Sequence, residues 1–253
     1  MLFRSAARLE AVIAAHPEIT TISIVHNETT SGLINDLVSV SEVVKNHNLR
    51  FIVDAMSSFG AVDVNVAELG IDFLISSANK CIQGVPGFSF IIARREALTA
   101  TEGNARTISL DLHSQWKTME KDNGKWRFTS PTHVVAAFAQ ALKELQQEGG
   151  VTVRGERYAA TNRKLRKGMR ALGFEPFVSE AFQGPIITTF LYPEGRNLDF
   201  KHMHHWLKEQ GYVIYPGKLT DRDTFRIGNI GEIYDADVDR ILELFAQYTK
   251  EFM

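Results

Sequence analysis

From Ile19 onward, short apolar runs alternate with amphipathic stretches. TTISIVHN, ending near His26, LRFIVDA, IDFLISSA and FSFIIAR are strand-length runs that are apolar on both faces. Between them the pattern predicts a helix across Leu37–His47 and a short helix around Val64–Leu69. Strands apolar on both faces and separated by helices predict an α/β fold, with a mostly parallel sheet sandwiched by helices. Ahead of them, FRSAARLEAVIAAHP reads as an amphipathic helix with Leu9, Val12 and Ile13 on one side and Phe3 alongside.

The second half changes character. Arg94–Ser130 is polar and irregular and reads as a long loop or interface segment. SPTHVVAAFAQALKELQQEGG predicts a helix with Ser130 at the cap, Pro131 just inside and Gly149–Gly150 as the stop. A basic helix, Val153–Gly173, follows. Beyond it GPIITTFLYP, YVIYPG and DTFRIGNIG read as strands, FKHMHHWLKEQG and Asp235–Phe252 as helices. This places a domain boundary near residue 150, with 1–150 in a larger domain and 151–253 forming a smaller C-terminal α+β domain.

Composition narrows the function classes. Lys plus Arg number 28 against 30 Asp plus Glu, a net charge of −2, which argues against a nucleic-acid or anionic-membrane surface. No apolar stretch reaches the roughly 20 residues of a membrane helix. The single Cys81 excludes an internal disulfide and suits a cytoplasmic setting.

Polar clusters begin where the strands stop, at His26–Ser31, Asp54–Ser58 and Ser76–Lys80. In open α/β sheets the ligand crevice lies outside the carboxyl ends of the strands. Most lysines are simply solvated, and Lys80 alone would be read that way. Asp54 alone could be a metal ligand or a cap. Together, 26 positions apart and one strand over, they fit a cofactor that needs an amine for its aldehyde and a carboxylate for its ring nitrogen. His202, His204 and His205 share a helix but offer no tetrahedral set, so no metal is expected.

HNETTSGLIN, FIVDAMSSFGAV and GIDFLISSANKCIQGVPGFSFIIARRE closely resemble the class V branch of the fold-type-I pyridoxal-phosphate aminotransferases. KWRFTSPTHVVAAFAQAL and TFRIGNIGEI resemble later motifs of that family. SSANKCIQGVPGF is most similar to the branch acting on 2-aminoethylphosphonate and pyruvate, with an alanine–glyoxylate or serine–pyruvate type as the same-class alternative and a non-catalytic remnant as the other. A cysteine desulfurase would carry a His before the lysine and a distant Cys, whereas this chain has Asn79 there and no second Cys.

The resemblance implies a pyridoxal 5′-phosphate enzyme, homodimeric and cytoplasmic. It implies that Lys80 holds the cofactor as a Schiff base and moves the proton, that Asp54 holds the pyridine nitrogen, and that Thr29 bonds the phenolic oxygen. Thr129 would reach the cofactor phosphate of the neighbouring subunit, Ser77 and Asn79 would line the cofactor, and Arg226 would grip the carboxylate of pyruvate or alanine. In the family a glycine/serine-rich phosphate turn and a ring-stacking aromatic precede the lysine. Only 79 residues precede Lys80 and no such turn is among them, so a segment on the order of a hundred residues is expected to be absent from the N-terminal side. Met1–Pro17 would then be an interior helix.

Overall fold

The computed structural model describes residues 5–219 and 221–253, so Phe3 lies outside the described residues. Numbered along the chain, the strands are β1 Thr21–Val25, β2 Asn27–Glu28, β3 Leu33–Ile34, β4 Arg50–Asp54, β5 Phe73–Ser77, β6 Ser89–Ala93, β7 Ile187–Leu191, β8 Tyr215–Pro216 and β9 Thr224–Gly228. The helices are α1 Ala6–Ala15, α2 Leu37–Asn46, α3 Arg95–Thr99, α4 Leu112–Lys121, α5 Thr132–Glu148, α6 Gly150–Ala171, α7 Phe200–Glu209 and α8 Asp235–Phe252.

The main sheet runs β1-β4-β5-β6. Its first three strands are parallel, with Val25 opposite Asp54 and Asp54 opposite Ile75, while β6 returns antiparallel to β5. The reversal follows from length, because the 78–88 connection is shorter than the dozen or so residues of a parallel crossover. Leu9 and Ile13 of α1 and Leu37, Val40, Val43 and Val44 of α2 pack with Phe51, Val53 and Leu74 in one core. Asp36 caps α2 by accepting from the Val38 and Ser39 amides. A second core gathers Leu165, Met169, Phe190, Phe225, Leu244 and Phe245 around α6, α8 and the small sheet β7-β9-β8. The boundary expected at 150 falls where Gly149, left-handed at φ 113°, separates α5 from α6.

Four local expectations change. Residues 64–69 form turns rather than a helix, because the Asn65 side chain takes the Glu68 amide and Gly70, at φ 63°, ends the run after one turn. The 94–130 stretch is not a structureless loop, since it contains α3, a 3-10 turn over Ile108–Leu110, and α4, capped by Asp111 at the Ser114 amide. Helix α5 begins after Pro131, one residue later than expected, with no side-chain cap. The expected strand over 212–217 shortens to β8, an edge position where Pro216 is tolerated. Among the described residues no helix is long and apolar enough to cross a membrane.

Helix α6 packs against the loop that follows β4. A Cβ on Gly155 would collide with the Ala61 carbonyl oxygen. Alanine in place of a helical glycine ordinarily gains about 1 kcal/mol, but forcing a helix off a backbone contact costs roughly 1–3 kcal/mol or more. Gly155→Ala is therefore expected to lower Tm in thermal unfolding followed by circular dichroism. An unchanged or higher Tm would contradict the close contact.

Candidate active site

Because β1, β4 and β5 are parallel neighbours, their carboxyl ends deliver three loops to one edge. Asp54 ends the strand flanked on both sides. Its carbonyl accepts the His26 amide at 2.8 Å, and the Ala55 amide reaches the Ile75 carbonyl at 2.9 Å. Its Oδ1 accepts the Met56 amide at 2.9 Å. Among the described residues the other oxygen has no hydrogen-bond partner.

Two residues behind Asp54 went unread in the sequence. His26 is 5% exposed, with Nδ1 2.9 Å from the Ser58 hydroxyl. Burial pushes its pKa down to about 4, so the imidazole is neutral at pH 7. The unfolded chain protonates His26 near pH 6.5, before the native state does, so its contribution to stability is present above that pH and lost as pH falls towards 4. The loss reaches roughly 3 kcal/mol at pH 4. Urea unfolding between pH 7 and pH 4 is expected to show this decline, flattened in His26→Gln; an equal slope in both proteins would assign it elsewhere. Asn27 is 1% exposed, and neither polar atom of its side-chain amide has a hydrogen-bond partner among the described residues.

The Lys80 loop is anchored by its backbone. The Gly84 amide donates to Ala78 at 2.8 Å and the Gln83 amide to Lys80 at 2.8 Å. Cys81 is fully buried, its Sγ donating to the Ser57 carbonyl at 3.3 Å, and burial pushes its thiol up to about 12. It packs and is no nucleophile at neutral pH. Lys80 and Asn79 are exposed, while Ser77, the last residue of β5, is half-buried opposite Ser89. An anchored loop thus presents an outward amine at the edge that carries Asp54.

The Glu28–Thr30 turn is held from the C-terminal sheet. Glu28 Oε1 accepts the Thr30 amide at 2.8 Å and the Thr30 hydroxyl at 2.6 Å. Thr189 of β7 donates to the Thr30 carbonyl at 3.1 Å, and Arg226 of β9 donates Nη1 to the Thr29 carbonyl at 3.0 Å. Arg226 is 6% exposed, and its other bond, from Nε, goes to the Pro216 carbonyl at 3.1 Å. Neither bond meets a carboxylate. Burial pulls its guanidinium below the ordinary arginine value, with Tyr215 and Glu28 pulling the other way. Nη2 and one Nη1 proton remain for an anion, the pair needed for a two-pronged contact.

Asp54, Ser77, Asn79 and Lys80 therefore share one sheet edge, and Thr29 is bonded to Arg226. Thr129 stands apart. It is exposed in the segment before α5, which packs on the start of β6 through Trp126 and Phe88, with ring centres 6.2 Å apart, and its side chain forms no hydrogen bond among the described residues. The histidines of α7 are engaged elsewhere, His202 with the Tyr248 hydroxyl at 2.9 Å and His205 with Glu209 at 3.2 Å. An outward amine, a carboxylate with one oxygen unbonded among the described residues, and a guanidinium that forms no ion pair there suit pyridoxal phosphate and an anionic substrate.

The sequence profile of class-V aminotransferases matches residues 4–222, and the chain belongs to that family. It is 54% identical over 248 residues to the 2-aminoethylphosphonate–pyruvate transaminase of Klebsiella pneumoniae, covering 97% of this chain and 68% of that protein. It is 55% identical over 239 residues to the protein of the same name from Bacillus cereus, covering 94% and 65%. The chain thus spans about two-thirds of the length of these relatives. Among solved structures, the alanine–glyoxylate aminotransferase of Nostoc sp. superimposes with a TM-score of 0.85 at 22% identity, over 96% of this chain and 65% of that one. The ureidoglycine–glyoxylate aminotransferase of Bacillus subtilis does so with 0.85 at 23% identity, over 98% and 65%. These likenesses fix the fold as that of the fold-type-I aminotransferases.

Proposed function

We propose that the protein carrying this chain is a pyridoxal 5′-phosphate transaminase that moves the amino group of 2-aminoethylphosphonate to pyruvate, giving phosphonoacetaldehyde and L-alanine. The observation that carries this reading is the buried Arg226, which forms no ion pair among the described residues and is tied to the turn that bears Thr29. Identity of 54–55% to relatives of that name supports the substrate pair.

In this reading the bound cofactor supplies the electron-withdrawing ring that lets a carbon–hydrogen bond of the substrate ionise. Lys80 would hold the cofactor through Nζ and, once the incoming substrate amine has displaced it, would take that proton and return it one position away. Asp54 would keep the ring nitrogen protonated through its second oxygen. The Thr29 hydroxyl would bond the phenolic oxygen, and Ser77 and Asn79 would line the cofactor. Thr129, whose side chain forms no hydrogen bond among the described residues, would serve the phosphate of a second copy in a cytoplasmic homodimer. Residues 1–150 belong to the large cofactor domain and 151–253 form the small one.

The test is a two-stage incubation of the purified chain with pyridoxal 5′-phosphate, first with 2-aminoethylphosphonate and then with pyruvate. Phosphonoacetaldehyde and alanine are expected in equal amounts. Turnover of alanine with glyoxylate, without any of the phosphonate, would overturn the substrate assignment. Asp54→Asn should keep the fold yet slow the first stage on the order of a hundredfold, because an amide cannot stabilise a protonated ring nitrogen. Unchanged turnover would leave Asp54 with a structural role only.

A further inference from the structure

Behind the Lys80 loop lies an ionic cluster that the proposed chemistry does not use. Arg154 of α6 is 2% exposed. Its Nε meets Glu148 Oε2 at 2.7 Å, and its Nη1 donates to the carbonyls of Cys81 at 2.8 Å and Ile82 at 3.3 Å, the two residues after Lys80. The other oxygen of Glu148 takes Arg157 Nε at 2.8 Å. Arg157 in turn donates Nη1 to the carbonyls of Gly231 at 2.7 Å and Ile233 at 3.2 Å, just beyond the strand that carries Arg226. Burial works against ionised Glu148, but the bonds from Arg157 and Arg154 outweigh it and hold the carboxyl below its usual range.

A second bridge runs in parallel. Gly231 donates its amide to the Tyr158 hydroxyl at 3.1 Å, and that hydroxyl lies 2.5 Å from the Gln83 amide group. With its oxygen towards Tyr158, Gln83 also accepts from Arg157 Nη2 at 3.2 Å and donates to Glu232 at 2.9 Å. Asn229 donates to the Tyr158 carbonyl at 2.9 Å.

Stability alone is a weak reason to bury the Arg154 guanidinium and half-bury that of Arg157, since apolar residues of similar volume do as well or better. What the planar forks add is fixed geometry towards several acceptors at once. We propose that Glu148, Arg154 and Arg157 form a coupling that holds the Lys80 loop in register with the strand of Arg226, making Arg154 a positioning residue for Lys80. The role given to Lys80 rests on the proposed function; the coupling of the two loops does not.

The test follows Lys80 in variants of the whole chain. Pyridoxal 5′-phosphate is added, the adduct is reduced with borohydride, and the modified peptide is quantified over time. Arg154→Met should slow trapping at Lys80 roughly ten- to a hundredfold, the scale of an ångström-level misplacement, with Arg154→Lys restoring part. Arg157→Met, which removes contacts to Gln83, Glu148, the 231–233 loop and the rings of Tyr158 and Tyr234 but none to the 81–82 carbonyls that Arg154 holds, should slow Lys80 as well. The double variant should lose less than the product of the two. Amide exchange in α2 and α8 should stay as in the native chain while Gln83 and Gly84 lose protection. Trapping at the native rate in Arg157→Met, or effects that multiply independently, would overturn the coupling. If Arg154→Met does not fold, Glu148→Gln and Arg157→Lys carry the same comparison. If the native chain itself gives no Lys80 adduct, the proposed function fails, and exchange at Gln83 and Gly84 in Arg157→Met, measured without cofactor, still decides the coupling.

Discussion

Lys80→Ala is expected to abolish borohydride-stable attachment of pyridoxal phosphate while leaving the fold untouched. The two halves of that expectation have separate causes. The side chain is exposed and forms no hydrogen bond among the described residues, whereas the loop is held by the backbone bonds of Ala78, Lys80, Gln83 and Gly84. Removing such a side chain should change stability by no more than about 0.5 kcal/mol, so cofactor-free Tm is the control. Under the proposed function the variant lacks the amine that would both hold the cofactor and move the proton. Turnover should fall roughly 10⁴-fold or more, the scale on which loss of a covalent catalyst is felt. An adduct formed at another lysine of the variant, at the native rate, would move the attachment point away from Lys80.

Arg226→Ala should separate the two halves of transamination. Loss of a charge-assisted, two-pronged contact in a partly desolvated site costs roughly 2–5 kcal/mol, which at about 1.4 kcal/mol per decade is thirty- to several-thousand-fold in the apparent affinity for pyruvate. Arg226→Lys should recover only part, since a point charge cannot reproduce the fork. The bonds to Thr29 and Pro216 add a second effect, because the variant also leaves those two carbonyls without the Arg226 donor. Ping-pong kinetics distinguishes the possible sites: a defect in both half-reactions means one shared anion site, and a defect with pyruvate alone means a separate phosphonate site. Normal kinetics in both would remove Arg226 from the site.

Asp54 and Lys80 were legible in the sequence because strand ends are local: an apolar run that stops at a polar residue fixes which side chain reaches the edge. Helix α2 was legible for the same reason, with its apolar stripe and the cap at Asp36 only a few residues apart. The 64–69 turn misled because its apolar residues, Val64, Val66 and Leu69, join the core without a helix. In α4 the buried stripe is short, with His113 alone fully buried, so the cap at Asp111 was the remaining signal. Arg154 could not be read at all. It stands in a basic helix among residues that look solvated, and its partners lie up to 73 positions away. The structural half of Arg226 escaped likewise, since only tertiary contact shows a carbonyl waiting for it.

The bond between Thr29 and Arg226 joins residues 197 positions apart. At the pace of ribosomal synthesis, about 5–20 residues per second, Arg226 is made on the order of ten to forty seconds after Thr29. Over most of that interval the nascent chain already carries Lys80 but not Arg226. Under the proposed function, aldehyde cofactor that met the lysine on the ribosome would be held before the proposed substrate grip had been made.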